Sequence, residues 1–564
     1  MSLDQTPINQ LIADNIDTWT STVKTKATTG RGSSKKLELY GVKKLRELIL
    51  ELAVRGKLVP QDPTDEPASV LLERIAEEKA QLVKDKKISK TKKLPSLTEE
   101  EKSIDLPNGW ALCRFGDLYH LEYGDNLPKV KRSGSGEYPV YGSNGIVGTH
   151  NIFSVDEACV VIGRKGSAGA LNMSATPCWV TDVAYSVIPP TGIELDYCFL
   201  HLNTFGLDSL GKGIKPGLNR NEANVLVACI PPTAEQHRIV AKVDELMTLC
   251  DQLEQQTEAS IEAHQVLVTT LLDTLTNSAD ADELMQNWAR ISEHFDTLFT
   301  TEASIDQLKQ TILQLAVMGK LVPQDPTDEP AAKLLERIAE EKAHLIKEKK
   351  IKKQKALPPI ADDEKPFELP NGWEWCRFGE LGYDLGGGTP SKGNSEYWGG
   401  SIPWVSPKDM KRDYIESAID SVTEKAVLET TIKLIPENSL LMVVRGMILA
   451  HSFPVALTKK PVVINQDMKA LIYNYIEPEF LLVVMKGIKN EMVDLVDRSS
   501  HGTCKLVSDK LWSVVLAVPP LSQQRQIVKK ANELLGICEQ LKGSLKESQT
   551  TQLHLTDAIV EQAV

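Results

Sequence analysis

The stretch KLVPQDPTDEP spans Lys57–Pro67 and recurs letter for letter at Lys320–Pro330. The offset is 320 − 57 = 263, and it holds without a gap through PNGW (Pro107–Trp110 and Pro370–Trp373) to CRFG (Cys113–Gly116 and Cys376–Gly379). There identity stops. It resumes at PPTAEQHRIV (Pro231–Val240) and PPLSQQRQIV (Pro519–Val528), where the offset is 519 − 231 = 288. A chain that keeps its frame twice and changes its inserts twice holds two different surfaces in one repeated geometry. Periods this long mark duplicated modules, since solenoid units are only about 20–50 residues.

Outward from the repeat, a helix is expected from Leu37 with Leu45, Leu48, Ile49 and Leu52 on one face, ended by Gly56. Its copy carries Leu308, Ile312 and Leu315 before Gly319. DPTDEP reads as a turn leading into a second helix, LLERIAEEKA, whose glutamates suit a solvated face. Lysine-rich tails follow at 84–93 and 347–355 and read as solvated helix ends and linkers, the alternative being that they lie near a DNA backbone. After the second proline pair, Ile239, Leu246 and Leu253 fall seven apart, with Val243 and Cys250 on the neighbouring row. Adding 288 gives Ile527, Leu534, Leu541, Ala531 and Cys538, so both copies offer the same coiled-coil seam. Residues 1–36 read as a helix over Ile8–Val23 and a loose tract, TTGRGSSKK.

The fold class expected is α+β: two mixed α/β inserts separated by two long helical repeats. The repeats form an antiparallel coiled coil, pseudo-twofold and circularly permuted, with the C-terminal helix leading back to the N-terminal copy. The segments are 1–36, an N-terminal extension; 37–106, the proximal part of helical repeat 1; and 107–230, insert 1. Then come 231–304, the long helix of the central region; 305–369, the proximal part of repeat 2; 370–518, insert 2; and 519–564, the C-terminal helix pairing with the central one.

At 564 residues the chain has room for several cores. Its apolar runs are too short to span a bilayer, and no basic-then-apolar leader opens it. Nine scattered cysteines without a CxxC pair fit reduced thiols in a cytoplasm. The net charge of −13 requires that any nucleic-acid contact be local. Catalytic signatures fail: GLDSLGKG (Gly206–Gly213) has phosphate-loop spacing but a glycine where the magnesium-binding hydroxyl should stand, and GxSxG, HExxH and DxDxG are missing. The expectation is a recognition scaffold with no catalytic residues, no metal and no cofactor of its own.

The inserts are nearly charge-neutral, and their cations cluster in loops beside glycine. In insert 1 these are Lys129, Lys131 and Arg132, then Arg164 and Lys165 in GRKGSAG, then Lys212, Lys215 and Arg220 in GKGIKPGLNR. In insert 2 they are Lys392, Lys408, Lys411, Arg412, Arg445 in VVRG, and Lys505 in HGTCK. Glycine lets the backbone approach a duplex while the cation reaches a phosphate or a guanine edge.

Several motifs carry a family resemblance: GGGTPSKGNSEYWGGSIPWVSPKDM (Gly386–Met410), VVRG (Val443–Gly446), NQDMKAL (Asn465–Leu471) and the paired PPxxxQxxIV signatures. YPVYGSNGIVG (Tyr138–Gly148) and IGRKGSAG (Ile162–Gly169) match a second insert type. The whole chain resembles the specificity subunit of type I restriction–modification enzymes. That resemblance implies that each insert is a target recognition domain for one half of a bipartite, asymmetric site in double-stranded DNA. It implies that the helices set the spacer and bind two modification (methyltransferase) subunits, joined by restriction subunits with translocase and nuclease activity. S-adenosylmethionine, ATP and magnesium are then expected on those partners. The competing reading is a dimerising scaffold with two protein-binding heads; the matched basic–glycine loops, which such a surface would not need, separate the two.

Overall fold

The computed structural model describes residues 8–26, 36–88, 93–132, 135–210, 217–353, 356–498 and 504–564. Two compact units emerge, Met1–Ser260 with Gln549–Val564, and Ile261–Ser548.

In the first unit, helix α1 (Tyr40–Val54) buries Leu45, Leu48, Ile49 and Leu52, as its 3–4 spacing predicts. Gly56 follows with φ +66°, and a Cβ there would lie 2.4 Å from Pro107, so the turn out of α1 fits only glycine against PNGW. Helix α2 (Ala68–Lys84) buries only Ala68, Leu71 and Ile75. The long helix α3 (Thr233–Thr276) supplies Ile239, Val243, Leu246, Cys250 and Leu253 to the same core, which also takes Ile559. Arg46 of α1 anchors this packing, pairing with Asp251 at 2.6 Å and Glu254 at 2.9 Å.

Insert 1 opens with β1 (Ala111–Arg114), then β2 (Glu122–Tyr123), β3 (Tyr138–Gly142), β4 (Gly145–His150), β5 (Cys159–Gly163), β6 (Leu171–Ser174), β7 (Trp179–Val180) and β8 (Ala184–Val187). It closes with β9 (Val227–Ile230), antiparallel to β1. The remaining strands form a sheet in the order β2-β8-β5-β6 and a second in the order β4-β3-β7.

The second unit repeats this plan. Helix α4 (Glu302–Val317) buries Leu308, Ile312 and Leu315, and helix α5 (Ala331–Lys347) buries Ala331, Leu334 and Ile338. Helix α6 (Leu521–Ala563) adds Ile527, Ala531, Leu534 and Cys538 to this core, with Leu541 only partly buried. Lys309–Glu539 at 2.6 Å ties α4 to α6. Residues 261–276 of α3 join through Val268, Leu272 and Leu275. Insert 2 comprises β10 (Glu374–Arg377), β11 (Tyr383–Gly386), β12 (Trp398–Val405), β13 (Tyr414–Ile415), β14 (Asp420–Val422), β15 (Leu440–Val443), β16 (Val455–Thr458), β17 (Val463–Ile464), β18 (Met468–Ile472) and β19 (Val515–Val518). Its sheets run β11-β18-β15-β16-β13 and β14-β12-β17, while β10 pairs with β19. In both copies identity ends just past the entry strand and resumes just after the exit strand paired with it.

Beneath each strand pair sits the arginine of CRFG. Arg377 gives two hydrogen bonds to Glu364 and three more to the carbonyls of Pro358, Pro359 and Ser513. Arg114 repeats every bond with Glu101, Pro95, Ser96 and Val225. Arg377→Ala removes five hydrogen bonds made by a buried guanidinium, and a loss of about 2–4 kcal/mol is expected, read by calorimetry. The arginine also holds the Glu364 carboxyl down to about 2 from its ordinary 4.5. Stability from this pair is therefore present above pH 4.5 and lost as the pH falls towards 2, and the variant should show a shallower acid limb.

Three expectations change. Ile8–Val23 is two helices, Ile8–Asp14 and Ile16–Ser21, because Asn15 between them leaves helical geometry and its amide donates back to the Leu11 carbonyl. The tract after them is framed by paired strands, Lys24–Lys26 and Lys36–Glu38, and residues 27–35 lie outside the described set. The AEEK segments are not wholly solvated. Lys79 donates to the carbonyls of Gly116, Asp117 and Tyr119, and burial pulls its pKa down to about 8. Lys342 likewise donates to Gly379, while Glu78 and Glu341 take Thr191 N–H and the Asn474 amide.

Candidate nucleic-acid interface

The inserts share almost no sequence, yet the same backbone bonds build one rim on each. In insert 1 the Val183 carbonyl accepts the N–H groups of Arg164 and Lys165, at 2.8 and 3.1 Å. In insert 2 the Asp467 carbonyl accepts those of Val444 and Arg445, at 2.9 and 3.2 Å. The Arg164 carbonyl then receives Leu218 N–H, as the Val444 carbonyl receives Leu506 N–H. Asp125 N–H bonds Val180 as Gly388 N–H bonds Ile464, and Thr181 N–H bonds Tyr141 as Asn465 N–H bonds Val405. Parallel pairing of Tyr141 with Val180 matches that of Val405 with Ile464. Gly124 and Gly387 occupy one equivalent place, where carbonyls of the loop after β7 or β17 leave no room for a Cβ.

This register equates Arg445 with Lys165, not with Arg164. Each precedes a glycine of positive φ, Gly166 at +83° and Gly446 at +135°. Lys165 is exposed, and Arg445 keeps 49% of its side chain in solvent with Asp467 3.9 Å away. Both cations can reach an anion beyond the protein surface.

The other arginines of insert 1 are committed inward. Arg164 donates to the Asp182 carbonyl at 2.7 Å and lies over Tyr123, 5.1 Å from its centroid. Arg220 lies over the same ring at 5.0 Å and donates to the Leu121 carbonyl. Arg132 turns back to the Leu127 carbonyl through Nε and Nη2. These contacts shape the loops and hold the guanidinium groups, a role that cation–π and carbonyl bonding explain without a ligand. Lys129 and Lys131 stay exposed on the connection from β2 to β3, as Lys392 does on the one from β11 to β12. Lys408, Lys411 and Arg412 are exposed beyond β12, and Lys505 is exposed with its backbone bridged to Arg445. Lys212 and Lys215 lie outside the described residues.

Charge alone misses part of the rim. Thr389 hydrogen-bonds Gln466, and Asn465 accepts the N–H of Asp467 within the same loop. Apolar side chains also stand out on the inserts: Ile146 on β4 is 61% exposed, and Met447, two residues after Arg445, 66%. Such groups can meet a thymine methyl where cations meet guanine. Their signal was the NQDM motif and the glycine-flanked turns, whose meaning depends on the loops they face.

Residues 107–263 and 370–547 match the family model described as Type I restriction modification DNA specificity domain. The chain is 41% identical to the Type I restriction enzyme EcoAI specificity subunit of Escherichia coli, covering 99% of this chain and 100% of that one. It is 38% identical to the EcoEI specificity subunit of Escherichia coli, with 99% and 100% covered. The EcoR124I/EcoR124II specificity subunit of the same organism is 39% identical over 32% of this chain and 45% of its own. A duplicated frame, two heads with one rim design and full-length likeness to these proteins lead to one conclusion: the chain belongs to the specificity subunits of type I restriction–modification enzymes.

Proposed function

We propose that residues 107–230 and 370–518 each read one half of a bipartite, asymmetric site in double-stranded DNA through the rims around Lys165 and Arg445. The frame holds the heads at a set separation and carries two modification subunits. S-adenosylmethionine, ATP and magnesium belong to the modification and restriction partners, and those partners supply much of the phosphate grip that a chain of net charge −13 lacks.

The observation that carries this reading is the equivalence of the two rims. Numbering in the helices supports the geometry. The division between units cuts α3 after Ser260 and α6 after Ser548, positions 288 apart, the offset of the repeated helices. Each unit thus holds the start of one long helix and the end of the other, as an antiparallel, pseudo-twofold pair would. Lys57 donates to the Val564 carbonyl and Lys320 to the Thr276 carbonyl at 2.7 Å. Val564 and Thr276 are again 288 apart, which supports a circularly permuted frame.

Exchanging residues 107–230 for an unrelated head should change one half of the methylated motif and leave the other and the spacer intact, read by methylome sequencing. A change in both halves would overturn the division of labour. A motif unaffected by the exchange would favour a protein-binding scaffold.

A further inference from the structure

The two rims agree in their backbone bonds and disagree in the side chain that follows. Arg445 and Lys165 hold the same place, and each is succeeded by a glycine of positive φ, Gly446 and Gly166. The next residue is Met447 in the second head and Ser167 in the first. After it come Ile448 and Ala168. The second head thus sets two large apolar side chains where the first has a hydroxyl and a methyl.

The turn that carries Met447 is fixed from several sides. Gly446 N–H donates to the Cys504 carbonyl at 3.0 Å, and Leu449 N–H returns to the Gly446 carbonyl at 3.2 Å. Leu449 is fully buried and pins the 3-10 turn Met447–Ala450 to the core of the head. Arg498 closes the far end, donating to the Ala450 carbonyl at 3.1 Å. With Leu449 inside, Met447 and Ile448 are both left exposed. Cations flank them: Arg445 precedes the turn, and Lys505 is bridged to Arg445 through its backbone.

A single exposed methionine needs no partner on an ordinary surface. On a fixed turn beside two outward cations, it faces whatever anion those cations meet. If that anion is a duplex, the chemistry of the groove narrows the contact. The apolar group that a base pair displays there is the thymine 5-methyl, and it stands in the major groove alone. An unbranched thioether adapts its shape to such a methyl without a hydrogen bond of its own to satisfy.

We propose that Met447 is a specificity-determining residue of the second head, selecting a thymine by its 5-methyl group, while Ser167 gives the first head a polar contact at the same place. The inference rests on the half-site reading above and names one base contact within it. The test titrates the full chain, assembled with the modification subunits of its own system, against duplexes of its methylated motif by fluorescence anisotropy. Each thymine in the half assigned to residues 370–518 is replaced in turn by deoxyuridine, which lacks only the methyl. One such replacement should weaken binding about fourfold, the effect of withdrawing one methyl-sized group from a buried contact. Met447→Ser should weaken binding to the thymine duplex by a similar factor and respond no further to that replacement, the non-additivity that marks direct contact. Replacements in the other half should act equally on both proteins, and circular dichroism checks that the variant stays folded. Equal sensitivity of the wild type and Met447→Ser to every replacement would overturn the assignment, as would a second half in which no replacement has an effect. A methylated motif left unchanged when residues 370–518 are exchanged would instead sink the half-site reading itself.

Discussion

Replacing Lys165 and Arg445 by alanine is expected to cost the assembled complex about 1–3 kcal/mol at each half-site, or roughly ten- to a hundredfold in specific affinity per head. The reason is position. Each side chain leaves the rim at the residue held by the second N–H bond to Val183 or Asp467, and each stands in solvent. Anisotropy titrations at fixed salt, with the site and with single-base variants of it, distinguish the contact made. A base contact relaxes discrimination at one position, whereas a phosphate contact weakens all sequences alike and lowers the salt slope by about one. Arg164→Ala should behave differently, loosening the head by freeing the Asp182 carbonyl and the Tyr123 ring. Unchanged affinity in the Lys165→Ala/Arg445→Ala protein, with the heads folded, would remove these rims from the interface.

The second large effect concerns distance. Inserting seven residues after Ser260 and seven after Ser548 lengthens both long helices at corresponding points and keeps the heptad phase. Two turns add about 10.5 Å, close to three base pairs at 3.4 Å each. The recognised motif should keep both halves and gain about three unread bases between them, visible in the methylome of cells carrying the variant. The same motif with the original spacer would refute the frame as a ruler.

Much of the frame was legible because its residues speak to their neighbours in sequence. Leu45, Leu48, Ile49 and Leu52 repeat at helical spacing, and Gly56 and Gly319 each close a helix against a tryptophan-bearing turn that recurs with them. The rims were harder to read. Their equivalence lies in which carbonyl accepts which N–H, and such bonds leave no trace in side-chain identity once loops differ. The ring that Arg164 and Arg220 cover, Tyr123, comes from a strand about 40 and 100 residues upstream, so their inward contacts could not be read from their own loops. Asn15 broke a helix through a bond to its own backbone, which apolar periodicity does not register.

The entry and exit strands of each head lie side by side, four residues long in both copies. The offset changes from 263 to 288 across the second head, so it is 25 residues longer than the first, yet its stem is the same. Length gained inside a clamped stem transmits no displacement to what lies outside it. Evolution can therefore rewrite one reading surface by insertion or deletion while the other stays silent, and the molecule acquires new targets without renegotiating its assembly.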